Sequence, residues 1–240
     1  MSWQGKSRGT VLGYKIFVSL IKNLGVRSAY FILYFVALYF VLFASESSKS
    51  IFYYFNKRLK YSVLKSYWST FKNNFVFGQT IIDKVAIASG MRDSFTYEFD
   101  GIDKLKQLLS EGKGGVLISA HVGNFEIAEY FFKEIDFNSQ INIVTVDNER
   151  NEIKEYLESV TGKPNTKFIY IKEDMSHIFD INNALSNNEL VCFTGDRYFE
   201  NSKYLEAELL GKKAKFPAGV FAIASRLKAP VAFVYVMKET

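Results

Sequence analysis

The chain has 240 residues, of which 48% are apolar, 17% aromatic and 23% charged, with three Pro and 15 Gly. That excludes a disordered, low-complexity or collagen-like chain, and one Cys and two His are too few for a disulfide framework or an ordinary zinc site. Net charge is +5, but residues 1–82 carry eleven Lys/Arg against the single acid Glu46, whereas residues 83–240 are net acidic. The basic pI therefore belongs to the N-terminal third, which must face a different partner from the rest.

In chain order, the first informative segment is 28–45, SAYFILYFVALYFVLFAS, an uncharged run closed by Arg27 and Glu46. As a helix it spans roughly 27 Å, near the hydrocarbon thickness of a bilayer. This predicts a membrane-anchoring helix rather than a buried core helix. A cleaved signal peptide fits less well, because the run starts late and no small-x-small site follows it. Tyr30, Tyr34 and Tyr39 favour the interface. Lysines and arginines flank the run on both sides, from Lys6 to Arg27 and from Lys49 to Lys65. That distribution suits an anchor whose two ends both return to an anionic surface, each cation contributing about 1 kcal/mol. Segments 13–24 and 51–77 read as amphipathic helices with lysines between aromatics. Such interleaving can also bind nucleic acid, but the adjoining apolar run predicts lipid, and no nucleic-acid partner is expected.

Two regions follow from this contrast: a membrane-associated helical region, 1–82, and a second region, 83–240. In the second, short apolar runs alternate with polar helical stretches. Strands are predicted at 96–99, 116–120, 141–146, 167–171, 190–194 and 230–237, and helices at 102–111, 124–135, 149–161, 176–186 and 217–227. This alternation predicts an α/β fold with a largely parallel sheet covered by helices, whose functional sites form at the carboxyl ends of the strands. The lone thiol, Cys192, falls in a strand and reads as core.

The chemistry concentrates in residues 114–132, GGVLISAHVGNFEIAEYFF. His121 stands at the carboxyl end of a strand, Val122 and Gly123 make a turn, and Asn124 is a suitable N-cap for the next helix. Glu126 then lies in the first helical turn, within reach of His121. A carboxylate on one imidazole nitrogen fixes the tautomer and leaves the other to act as a base. This is the orienting half of a triad without its serine, so the nucleophile must be a substrate hydroxyl or amine. A hydrolase would need a serine or cysteine beside His121, and the segment supplies only Ser119, on the strand. His177 has no comparable setting.

The string His121-Val-Gly-Asn-Phe-Glu126 resembles the H-x4-[D/E] motif of the lysophospholipid and glycerol-phosphate acyltransferase superfamily, and in full it is similar to the lipid A biosynthesis (lauroyl/myristoyl) branch. Thr194-Gly195-Asp196-Arg197 resembles an acidic motif of that branch, Lys215-Phe216-Pro217-Ala218-Gly219 its F-P-x-G element, and the N-terminal apolar helix its membrane anchor. The resemblance implies a glycerol-phosphate acyltransferase-like fold. It implies transfer of a fatty acyl chain from an acyl carrier protein or coenzyme A thioester to a hydroxyl or amine of a lipid acceptor, a lipid A precursor among the candidates, with no cofactor and no metal. It also implies a place on the cytoplasmic face of the bacterial inner membrane. His121 would be the general base and Glu126 its carboxylate partner. The oxyanion donor would be Arg197 or backbone N–H groups near Gly123, with Asn124 beside them and Asp196 positioning Arg197 or another group. Phe216, Pro217 and Gly219 would shape an acceptor-binding loop, with Lys215 on a phosphate. The branch commonly carries an arginine close after the next strand; here either Arg150 fills that acceptor-binding role three residues late, or the role is absent. Family members also usually continue past this point, which implies a sheet or acceptor pocket with part of its C-terminal structure beyond Thr240. The alternative reading is a catalytically inactive, lipid-binding membrane-surface protein of the same fold.

Overall fold

A computed structural model describes residues 11–43, 45–124, 127, 139–146, 156, 159, 166–198 and 202–238. The chain divides into two units, residues 9–94 and the remainder from residue 95 on.

In the first unit, α1 (Val11–Phe43) is interrupted at Gly25, whose φ of 79° and ψ of 170° are not helical. Glycine meets that conformation at little cost, so the predicted amphipathic and apolar stretches become two helical segments joined at one residue. Ala29, Leu33 and Ala37 recur every fourth residue and are buried. This narrow stripe packs on α3 (Val63–Ala88), where Leu33 lies against Gly78 and the Tyr34 and Phe71 rings meet edge-on at 4.9 Å. The Tyr30 hydroxyl donates to Asp83 on the same seam. The outward face, by contrast, leaves Phe31, Phe35 and Leu42 largely exposed. Only 17% of the most apolar window of α1 is buried, and α1 is long and apolar enough to cross a membrane. The stretch 51–77 is not one helix: α2 (Ser45–Tyr53) ends in a π-turn over Tyr54–Arg58, Lys60 takes a positive φ of 60°, and Ser62 caps α3.

In the second unit, α4 (Ile102–Ser110) precedes β1 (Gly115–Ser119). Then come β2 (Ile141–Thr145), β3 (Lys167–Tyr170), α5 (His177–Ser186) and β4 (Leu190–Thr194). A hairpin of β5 (Tyr204–Leu209) and β6 (Lys212–Pro217) leads into α6 (Ala218–Leu227) and β7 (Val231–Phe233). The sheet order is β3-β2-β4-β1-β7, and every pairing within it is parallel. The predicted α/β class and parallel sheet are therefore found.

Period-two alternation assigns the two faces of the sheet. Val116, Ile118, Val191 and Phe193 pack with Ile181, Ala184 and Leu185 of α5 and with Val220 and Ala224 of α6. Leu117 and Leu190 pack on Leu105 and Leu108 of α4, with Cys192 beside them. Each fully buried aliphatic side chain contributes roughly 1.5–3 kcal/mol relative to exposure.

Three expectations change. Segment 96–99 forms no strand; Thr96, Tyr97, Glu98 and Phe99 are all exposed, so it offers no face to bury. The hairpin at 204–217 was not expected, and Lys215, Phe216 and Pro217 therefore lie in a strand rather than a loop. The last strand is shorter than 230–237, although Val236 makes one further bridge, to Gly123. The helices expected at 124–135 and 149–161 fall largely outside the described residues.

Candidate active site

Strand register builds the site. In the β1–β4 ladder Ser119 stands opposite Thr194, and two residues further along each strand are His121 and Asp196. They emerge side by side at the carboxyl edge of the sheet, where open α/β sheets place ligands. Gly195 keeps the two strands in step, its N–H donating to the Ser119 carbonyl at 2.8 Å. A Cβ at Gly195 would lie 2.9 Å from Ile118, so the position favours the smallest residue.

The Asp196 carboxylate grips His121 twice. One oxygen lies 2.8 Å from ring Nδ1, and the other accepts the His121 backbone N–H at 3.0 Å. This two-point hold fixes the ring against its own backbone. With Asp196 ionised, Nδ1 carries the proton it donates, which makes Nε2 the basic nitrogen. Burial raises the Asp196 pKa, but the hydrogen bonds from the His121 ring and backbone outweigh it and hold the carboxyl below its ordinary value. The His121 side chain is 31% exposed, enough for a substrate to reach it.

The turn after His121 is pinned from the other side by the end of the β7 segment. Gly123 has φ 72°, and a Cβ there would lie 1.9 Å from the Val236 carbonyl oxygen. Glycine is required on both counts. The buried Asn124 donates its backbone N–H to the same carbonyl at 2.8 Å. His121 is thus set between β4 and the β7 end.

Of the other expected site residues, Arg197 follows Asp196 and is exposed. Lys215 sits on β6 with its ammonium 4.1 Å from the Tyr204 ring centroid and 5.8 Å from that of Tyr198. Hydrogen bonding with Tyr204, ahead of the nearby charges, holds its pKa above the usual lysine value. Tyr198 and Tyr204, which flank this lysine, carry no motif of their own in the sequence beyond being aromatic. Phe216 and Pro217 are half-buried, with Pro217 closing β6 and opening α6. Gly219 is exposed, and a Cβ there would meet nothing within 4 Å. Glu126 and Arg150 lie outside the described residues. His177 accepts the Lys172 N–H at 3.2 Å and serves the turn before α5. Among the described residues no group of His, Cys, Asp and Glu has the makings of a metal site.

The fold and site are thus those of an α/β protein whose parallel sheet carries, at its carboxyl edge, an imidazole held by a carboxylate. The model of the bacterial lipid A biosynthesis acyltransferase family matches residues 57–239, from the end of the π-turn through the β7 segment, and the chain belongs to that family. No curated protein matches the chain.

Proposed function

We propose that this protein is a membrane-bound acyltransferase that moves a fatty acyl chain from an acyl carrier protein or coenzyme A thioester to a hydroxyl or amine of a lipid acceptor, a lipid A precursor in the first instance. The observation that carries the reading is the doubly held imidazole of His121 on Asp196. His121 Nε2 takes the proton of the acceptor hydroxyl as its oxygen bonds to the thioester carbonyl carbon. Asp196 holds the ring and stabilises the imidazolium, as the H-x4-E reading also asks of Glu126. The tetrahedral oxyanion is met by Arg197 or by N–H groups near Gly123. Collapse breaks the C–S bond, and the departing thiolate takes the proton back from the imidazolium. General-base catalysis contributes roughly 10²–10⁴-fold, and one oxyanion donor about 10²–10³-fold.

Arg197, and Lys215 on its tyrosine pair, supply positive charge for either anionic donor and for an acceptor phosphate. The apolar α1 supports the bilayer as the place where acceptor and enzyme meet, on the cytoplasmic face of the bacterial inner membrane, where acyl thioesters are made.

The test is mass spectrometry of lipids from cells carrying wild type or His121→Ala. A species heavier by one acyl chain in wild type and absent from the variant names the acceptor and the chain. Equal acylation in both rejects the mechanism, and turnover by neither supports a lipid-binding protein without catalysis. Glu126→Gln, compared with Asp196→Asn, shows which carboxylate the imidazole depends on.

A further inference from the structure

The β5–β6 hairpin presents apolar surface to solvent. It is closed by the two-residue turn Leu210-Gly211, and every residue from 204 to 213 is exposed. Alternation sorts its side chains onto two faces. One face carries Tyr204, Glu206, Glu208, Lys213 and Lys215, with Lys213 3.5 Å from Glu206, and is suited to water. The other carries Leu205, Ala207, Leu209, Ala214 and Phe216, with Lys212 opposite Leu209 at the tip end of the same face. Leu205, Leu209 and Leu210 remain 49%, 51% and 46% exposed. A two-stranded hairpin cannot bury such a face by itself.

The tip points the same way. Leu210 has φ 50° and Gly211 φ 70°, the paired positive values of a type I′ turn. Asn-Gly or Asp-Gly meets that requirement readily, whereas leucine in the left-handed region is strained. The turn thus accepts a destabilising residue that puts a large apolar side chain at the end of the hairpin. Lys212 and Lys213 follow at once. Apolar side chains with lysines beside and behind them match the boundary of an anionic bilayer, where leucines enter the acyl region and lysines meet the phosphates.

We propose that the β5–β6 hairpin is a membrane contact of its own, setting the Leu209-Leu210 tip and the Leu205 face into an anionic lipid surface. The bilayer is the occupant because the same chain carries α1, long and apolar enough to enter it, so the tether keeps lipid at high local concentration. The hairpin leaves β4 just after Asp196 and returns through Lys215 to α6. Docking it would bring the carboxyl edge of the sheet down to the headgroups.

The experiment uses the full chain in lipid nanodiscs, with an environment-sensitive fluorophore on Leu210→Cys or, on the opposite face, Glu208→Cys. Burial pushes the native Cys192 thiol up to about 12, so the introduced cysteine takes the label. In discs containing phosphatidylglycerol, the probe at 210 shifts to the blue and is quenched by lipids spin-labelled near the carbonyls, while the probe at 208 stays water-like. In pure phosphatidylcholine discs the shift at 210 falls at least about twofold, and Lys212→Gln with Lys213→Gln removes that difference. A water-like probe at 210, or equal signals at 210 and 208, overturns the proposal. So does a blue shift without lipid quenching, the signature of contact between copies of the chain. None of these readouts depends on turnover, so they can fail without touching the acyltransferase reading.

Discussion

At the scale of single residues, Asp196 holds His121 by ring and backbone. In the proposed mechanism it is a positioning residue, acting on substrate only through the imidazole. Asp196→Asn keeps its size but removes the charge that selects the Nδ1–H tautomer, and transfer is expected to drop about 10²–10⁴-fold. The hold on the carboxylate also leaves a pH signature in stability. The folded pKa lies below the ordinary one, so Asp196 adds stability above its unfolded pKa of about 3.9, and that contribution is lost as pH falls through the folded value. The stability advantage of wild type over Asp196→Asn should therefore shrink below about pH 4. Thermal melts of both proteins across the acid range check this, and a gap that stays constant there would mean the carboxylate is not held as described.

At the scale of elements, the α4–β1 and α5–β4 connections interlock through Asn188. Its side-chain carbonyl accepts the Gly114 N–H at 2.9 Å, and its amide donates to the Leu109 carbonyl at 3.2 Å. Asn188 itself has φ 59°, a conformation asparagine tolerates better than most residues. This latch fixes where β1 and β4 begin, and so sets the register that brings His121 to Asp196 at their other ends. Asn188→Ala loses two hydrogen bonds and adds left-handed strain, an expected cost of about 2–4 kcal/mol. Asn188→Gly should cost less, because it relieves the backbone while losing the same bonds. Denaturant unfolding of the two variants separates these contributions, and equal values would remove the left-handed strain from the account.

At the scale of the whole molecule, α1 is turned inside out relative to a core helix. Small and aliphatic side chains, Ala29, Leu33 and Ala37, face α3, while Phe31, Phe35 and Leu42 point outward. Phe35→Lys with Leu42→Lys leaves the α3 seam intact and places two charges where lipid is expected, at about 2.5–3.5 kcal/mol for position 35 near the middle of the apolar run and less for position 42 near its end. The double variant should leave the membrane fraction on alkaline carbonate washing, while wild type stays. Retention of both would place the membrane attachment elsewhere. The family match begins at residue 57, so α1 stands before it and α3 within it.

Much of this was readable in one dimension. Leu190–Thr194 is an apolar run in both sequence and structure, and His121 sits at a strand end because Val116 to Ile118 is uninterrupted hydrocarbon followed by a glycine turn. The charge-free stretch 28–45 is legible as part of a long apolar helix in the same way. These features are local, and hydrophobic period and charge report them directly. The hairpin is harder to read from sequence although Leu205, Ala207 and Leu209 alternate with glutamates, because its Leu210-Gly211 turn lacks the usual Asn-Gly. The pairing of His121 with an aspartate 75 positions away was beyond any local pattern, since it exists only because β4, fourth of the sheet strands in the chain, lies next to β1. Neighbourhood in a parallel sheet is set by crossover connections and by which faces α4, α5 and α6 cover. Composition and spacing report the segments that bury an apolar face; only the packing of all of them together brings the Asp196 carboxylate to the histidine.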